Sequence, residues 1–299
     1  MMRLDAVSHG RNFASIETVA QVRCANPDDK TTRLIVIFYA FGREVARFKR
    51  RNKRRTRLPH RDLRGFGVEI AGREFALIGT GIGHERAREV ARLAFQVLPN
   101  PEMVIGTGVV GALSYGLRPG DIVLADRVIH TRGEDEDPEQ ISSIEEAHLR
   151  DVGRYLKGAG LDYSMGPILT SHRVLASGDE KRRAKDLTGA IAVDMETAAL
   201  ASEAAARGLR FAVLRTVLDH IDDDIPAEEL TDERGRLRPL HATAQLVRNP
   251  RTMFKLARLM RNLSLATESL ADALEAVAYR GRPPFAVEPK KKQKRTQSH

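Results

Sequence analysis

The sequence is poor in the residues that mark several protein classes. Of its 299 residues one is cysteine, Cys24, none is tryptophan, and aromatics make up only 5%. A lone thiol has no intramolecular partner, which excludes a disulfide-framed secreted fold and makes a reducing compartment the simpler expectation. No apolar run approaches the roughly 18 residues of a membrane-spanning helix. The longest, Leu34 to Phe41, has the length of a buried strand. The N-terminal stretch MMRLDAVSHGRNFASIETVA lacks the apolar core of a signal peptide. What is present is a hydrophobic content of 42%, too high for a wholly disordered chain, and enough length for one large domain or two small ones. A soluble cytoplasmic protein is expected.

The net charge of +9 by itself suggests nucleic acid or a membrane surface as partner. Its distribution says otherwise. Lys49 to Arg57 (KRRNKRRTR) holds seven basic residues and Pro289 to His299 five, neither with an acid, and setting these aside leaves −3 for the rest. Neither segment interleaves aromatic residues, so no nucleic-acid partner is expected. Lys49 follows Glu44 by five residues, which would set the cluster near any site containing that glutamate. There it could meet an anionic membrane at about 1 kcal/mol per basic residue.

Residues 1–32 show no sustained period and read as a mobile arm. Leu34 to Phe41 predicts a strand covered on both faces, and Gly42 to Phe48 a helix start. Strands are further predicted over 66–70, 74–78, 103–105, 122–129, 168–175, 191–193 and 211–217. Helices are predicted over 84–97, about 143–157 and 196–207. Two glycine loops, Gly79 to Gly83 and Gly106 to Gly111, punctuate the pattern. Strands alternating with helices give an α/β fold, a three-layer α/β/α sandwich around a central mixed sheet, over residues 33–225. A C-terminal helical extension follows over 226–282, then a disordered basic tail over 283–299. In the extension Met253, Leu256, Met260, Leu263, Thr267, Leu270, Leu274 and Val277 form a seam, expected to lie on the chain's own core rather than on a coiled-coil partner.

Gly106-Thr107-Gly108-Val109-Val110-Gly111 satisfies the G-x-G-x-x-G pattern, but no helix follows it, and without a helix N-terminus the dinucleotide mechanism fails. The loop still lets a ligand approach the backbone. The first glycine loop does precede a helix, so it is either an anion or hydroxyl site or a plain tight turn. Asp194-Met195-Glu196 puts two carboxylates between a buried strand and a helix start, where the helix dipole would favour Glu196 as an anion facing a diol, and either acid could instead cap the helix. Arg215 and Asp219 close a strand at the carboxyl end, where open α/β sheets bind ligands, and a buried acid there could protonate a leaving group. Asp222, Asp223 and Asp224 read as a solvated loop rather than a metal site.

Taken together, four blocks resemble the nucleoside phosphorylase superfamily and within it the methylthioadenosine/S-adenosylhomocysteine nucleosidases. They are the first strand with Glu44, TGIGHERA, VIGTGVVGALSYGLRPGDIVLAD, and AVDMETAALA followed by FAVLRTVLD, spanning about two-thirds of the chain. TDERGRLRP and the helical extension are similar to the hopanoid-associated nucleoside phosphorylase branch. The resemblance implies cleavage of the N-ribosyl bond of a purine, adenosine-type nucleoside by a homodimer that needs no cofactor or metal. It implies Asp219 as the acid at the base, Met195 and Glu196 on the ribose, Glu44 activating water and Arg215 organising it. Val174 and Leu175 would flank the base, with Gly108 and Val109 near the nucleophile. The sequence also departs from the family. Val109 stands where the nucleosidases have serine, Val174 replaces an aromatic residue, and Gly106 stands where phosphorylases carry a phosphate-holding arginine, for which Arg43 could partly compensate. Phosphate therefore remains an alternative co-substrate to water, with a lipid-linked adenosyl nucleoside among the substrates of such a phosphorolysis. A non-catalytic nucleoside-binding regulator is the rival class, opposed by the joint presence of Glu44, Glu196, Arg215 and Asp219.

Overall fold

The computed structural model describes residues 34–98, 100–131, 133, 137–225 and 250–282. The expected N-terminal arm, the TDERGRLRP segment and the basic tail lie outside the described residues.

The first strand, β1 (Leu34–Tyr39), is buried at all six positions, as a run apolar on both faces requires. After it come α1 (Ala46–Arg51), β2 (Arg55–Thr56), and the hairpin of β3 (Arg64–Ile70) and β4 (Arg73–Gly79). Next are α2 (His84–Val97), β5 (Met103–Ala112), β6 (Ile122–Thr131), β7 (Glu139–Ser143), α3 (Glu146–Gly158), β8 (Tyr163–Ser171) and α4 (Gly178–Thr188). β9 (Ala192–Asp194), α5 (Thr197–Ala205), β10 (Phe211–Asp219) and α6 (Pro250–Ala278) complete the described part. One mixed sheet runs β10-β6-β8-β9-β5-β1-β4-β3-β2, with β7 beside β6. A further pairing of β10 with β5 curls this sheet back on itself. The α/β expectation holds.

The helices cover the sheet with small or apolar faces. α2 buries Ala87, Ala91, Ala94 and Phe95, and Phe95 meets Phe38 of β1 edge-on at 5.7 Å. α5 is buried at nearly every position, which fits its alanine-rich sequence. On α6 the seam divides. Leu270, Leu274 and Val277 are buried in the main core, whereas Met253 and Met260 are 45% and 38% exposed. The own-core expectation therefore describes the C-terminal half of the helix.

Four local expectations need correction. Gly106 to Gly111 is not a loop, because β5 continues through it to Ala112 and pairs with β10 from Phe211 to Asp219. Room is needed at Gly111, where a Cβ would come 3.2 Å from Val193, while one at Gly106 would meet Leu200 and Phe211 at an ordinary 3.5 Å. The 168–175 strand begins earlier and stops at Ser171, so Val174 and Leu175 lie on the connection to α4. α4 itself is a helix that apolar periodicity does not announce, although its capping box, Ser177 with Glu180, is written in the sequence. α1 starts only at Ala46, after a turn over 41–45 that Glu44 helps to hold.

β5 is the strand that matters for the site. Its partner β1 reaches only Gly106, opposite Phe38, and its other partner on that edge, β9, begins at Gly111. Between them the edge of β5 is open, and the chain leaving β1 turns across the gap. An open strand edge at a change of partner is where sheets of this kind make room for a ligand.

Candidate active site

A cleft with a volume of about 160 Å³ opens at this gap. Its walls include Glu44, Val109, Val174, Leu175, Asp194, Met195, Glu196 and Asp219.

Glu44 is held by backbone alone. Its Oε2 accepts from the Ala40 and Phe41 amides at 2.7 and 3.0 Å, and its Oε1 from the Val109 amide at 2.9 Å. That last donor is one that the open edge of β5 leaves unpaired, so the carboxylate supplies the missing partner. Burial pushes the Glu44 carboxyl above the usual range, against the pull of these amides and of Arg215. Gly108 makes the approach feasible. Its φ is +134°, and a Cβ there would fall 2.4 Å from Glu44 Oε1 and 2.8 Å from Arg215 Nη1.

Arg215 is 1% exposed and lies behind the cleft wall rather than in it. It donates to the Thr107 carbonyl at 2.5 Å, to the Thr197 hydroxyl at 2.7 Å and to Asp194. Asp194 also accepts from Thr170 at 2.9 Å and from the Thr197 amide at 3.3 Å, so its oxygens are fully engaged. It is a framework group that caps the start of α5 and neutralises Arg215. Glu196 is different. Its Oε1 accepts from the Gly83 amide at 2.7 Å, and its Oε2 makes no hydrogen bond among the described residues. The first glycine loop thus does present an amide to an acidic group, the protein's own Glu196. Burial first, and the nearby Asp194 second, push the Glu196 carboxyl from 4.5 up to about 8.

Asp219 ends β10, 2% exposed, beside a register shift in the pairing with β5. Its Oδ2 is bound by Lys181, and its Oδ1 makes no hydrogen bond among the described residues. Burial raises the Asp219 carboxyl, and Lys181 opposes that rise. The following acids are not simply solvated. Asp222 pairs with Arg182 at 2.5 Å, Asp223 with Arg258 at 3.1 Å and Asp224 with Lys255 at 3.2 Å, which ties the loop after β10 to α4 and α6.

The structure thus brings together Glu44, Val109, Val174, Leu175, Met195, Glu196 and Asp219, with Gly108 and Arg215 packed directly behind. Arg43 is not with them. It is exposed and does not line the cleft, because the turn that buries Glu44 sends its neighbour outward. The basic cluster supplies no lining residue either, and one of its members, Arg51, is occupied, as is Arg47 just before it. Arg47 donates to Ser264 at 2.6 Å and pairs with Glu268, while Arg51 pairs with Glu268 and with Asp272 and Glu275 at 2.8 and 3.1 Å. Sequence reasoning missed Phe41, Ile82, Leu218 and Ile225 on the apolar wall, and Lys181 beneath Asp219. The lysine had a signal, since a cation in the first turn after a capping box opposes the helix dipole.

The family model of the Phosphorylase superfamily matches residues 34–245. The chain belongs to this superfamily. It is an enzyme. A 5'-methylthioadenosine/S-adenosylhomocysteine nucleosidase of Haemophilus influenzae is 27% identical over 168 residues, covering 52% of this chain and 72% of that protein. One from Staphylococcus epidermidis is 25% identical over 213 residues, covering 67% and 93%. Among solved structures, the same kind of nucleosidase from Neisseria meningitidis, bound to methylthio-immucillin-A, superposes with a TM-score of 0.65 at 17% identity over 84% of this chain and 100% of that one. Futalosine hydrolase of Helicobacter pylori gives 0.63 at 16% identity over 82% and 97%. At these identities the two structures speak for the fold.

Proposed function

We propose that the enzyme hydrolyses the N-ribosyl bond of a purine, adenosine-type nucleoside. The observation that carries this is the convergence of three carboxyl groups with distinct tethers on one cleft. Asp219 has a bare Oδ1, Glu196 has a bare Oε2, and Glu44 is pinned by amides at the floor. Breaking an N-ribosyl bond develops positive charge on the sugar and negative charge on the base. Carboxylates around the sugar and an acid at the base both favour that transition state over the ground state.

In this mechanism Asp219, its carboxyl raised by burial, gives an Oδ1 proton to the departing purine. Glu196 accepts hydrogen bonds from the ribose hydroxyls through Oε2, and Met195 packs on the sugar. Val174 and Leu175 flank the base. Glu44, its basicity raised by burial, takes a proton from water as the water attacks the sugar, and Arg215 steadies the carboxylate from behind. Water rather than phosphate is favoured because Arg173 is the one cation among the described cleft-lining residues, and its Nη1 is committed to Glu180 at 2.6 Å.

The proposal extends to a cytoplasmic homodimer, checked by analytical ultracentrifugation. It extends also to contact of the exposed Lys49, Arg50, Lys53, Arg54 and Arg57 with anionic lipid, checked by vesicle sedimentation at physiological salt. The catalytic assignment is tested by adenine release from 5'-methylthioadenosine and adenosine. Asp219→Asn is expected to fold normally by circular dichroism and to slow release by about 100- to 10,000-fold. A folded variant with near wild-type rate would sink the assignment.

A further inference from the structure

Lys181 has no role in the chemistry above, yet it is fully buried beside the acid at its centre. A buried lysine is almost always paired, and this one spends all three protons. They go to Oδ2 of Asp219, to the His220 carbonyl at 3.0 Å and to the Asp223 carbonyl at 2.7 Å. The position is costly by every local criterion. The ammonium leaves water, its long side chain loses rotamer freedom, and it sits in the first turn of α4 against the helix dipole. A neutral donor would serve the two carbonyls. Only the Asp219 carboxyl calls for a cation.

We infer that Lys181 is a positioning residue for Asp219: it fixes Oδ2, leaves Oδ1 to face the base, and stabilises the carboxylate that remains after proton transfer. The inference rests on the proposed nucleosidase reading. In the step concerned the Asp219 Oδ1–H bond breaks and an N–H bond forms on the purine, while the electron pair of the N-ribosyl bond passes to the base. Lys181 keeps its three protons throughout. The charge it offsets is created in the transition state, so its contribution belongs to the rate as well as to the resting structure.

Other groups act on Asp219. Asp223 and His220 stand in the following loop, and Arg258 of α6 approaches while paired to Asp223 at 3.1 Å. Arg215 lies on β10 itself, and Glu44, Asp194 and Glu196 line the same cleft. Comparing variants that differ only at Lys181 isolates its share.

The test is kcat/KM for 5'-methylthioadenosine against pH, for the wild type, Lys181→Met and Lys181→Arg. Activity falls on the alkaline side as Asp219 loses its proton. Without the cation the carboxyl keeps its proton longer, so in Lys181→Met the alkaline limb is expected to move up by about 1 to 3 pH units. The plateau is expected to fall at least about 10-fold, part of what general acid catalysis contributes. Lys181→Arg, which keeps the charge, should hold the limb in place. Lys181→Gln replaces the methionine variant if that one does not fold. A nitrophenyl riboside, whose leaving group departs without a proton, should lose far less rate than the nucleoside in the same variant. A reduced plateau with an unmoved limb, or equal losses on both substrates, overturns the inference and leaves a structural lysine. A wild type that cleaves no purine nucleoside overturns the nucleosidase reading and this inference with it. A wild type that cleaves, together with an inactive Asp219→Asn and an unmoved limb at Lys181, overturns the inference alone.

Discussion

Replacing Gly108 by alanine adds one methyl group at the most crowded point of the cleft. The new Cβ would stand 2.4 Å from Glu44 Oε1 and 2.8 Å from Arg215 Nη1, both far inside contact distance, and the backbone φ of +134° is one that alanine rarely adopts. The backbone term alone costs about 1–3 kcal/mol. Neither neighbour can step aside cheaply. Glu44 is held by three amides, and moving it gives up at least the charge-assisted bond from Val109, about 1.5–3 kcal/mol. Arg215 is fixed to Thr107, Thr197 and Asp194. Gly108→Ala is therefore expected to lose about 3–5 kcal/mol of stability, read in thermal unfolding as about 2–4 °C for each kcal/mol. Cleavage should fall further than substrate affinity, because the displaced group is the one proposed to activate water. A variant with wild-type melting temperature and wild-type turnover would refute the packing of Glu44 and Arg215 described above.

Three further outcomes follow from the same contacts. Burial raises the folded-state Glu196 carboxyl from 4.5 to about 8, so its contribution to stability is present below the lower value and is lost as pH rises through the upper one. The ligand-free protein should lose melting temperature between about pH 4.5 and pH 8, and Glu196→Gln should lose less; identical pH profiles would contradict this. Because ribose hydroxyls favour the anion of Glu196, binding of a nucleoside analogue at neutral pH should release a proton. Calorimetry in buffers of different ionisation enthalpy detects it, and zero release would count against the assigned role. Arg215→Met leaves Asp194 buried without its cation and should cost about 3–5 kcal/mol, with part recovered when Asp194→Asn is added. A fully additive pair would show that the two do not interact.

Much of the architecture was legible because the signals were local. Leu34 to Phe41 could only be a strand covered on both faces, and the helix over 84–97 carries its alanine stripe in plain order. Glu196, Arg215 and Asp219 stood out as charges set against apolar runs, whereas Glu44, on its own the mark of an exposed helix residue, was pointed to by the family resemblance, and the fold gathers all four. The misreadings share a cause. Glycines over 106–111 are commonest in turns, but here they sit in a strand, where Gly108 and Gly111 leave space for Glu44, Arg215 and Val193, a demand made by residues distant in sequence. Arg43 and Glu44 are adjacent in the chain and opposite in environment, since the turn that buries one exposes the other. The partners of Lys181, Arg47 and Arg51 lie some 38 to 224 residues away, beyond the reach of any periodicity. The basic cluster looked like a statement about a partner, and its Arg51, with Arg47 just before it, turns out to pair with acids of α6.

The central claim, hydrolysis at an N-ribosyl bond, is tested most directly by the fate of the sugar. Purified enzyme is incubated with 5'-methylthioadenosine in phosphate-free, oxygen-labelled water, and the products are identified by mass spectrometry. The expected result is free adenine together with a free sugar carrying one labelled oxygen, formed at the same rate when phosphate is added. A sugar phosphate formed only with phosphate present, or no release of base from this or any other purine nucleoside, would contradict it.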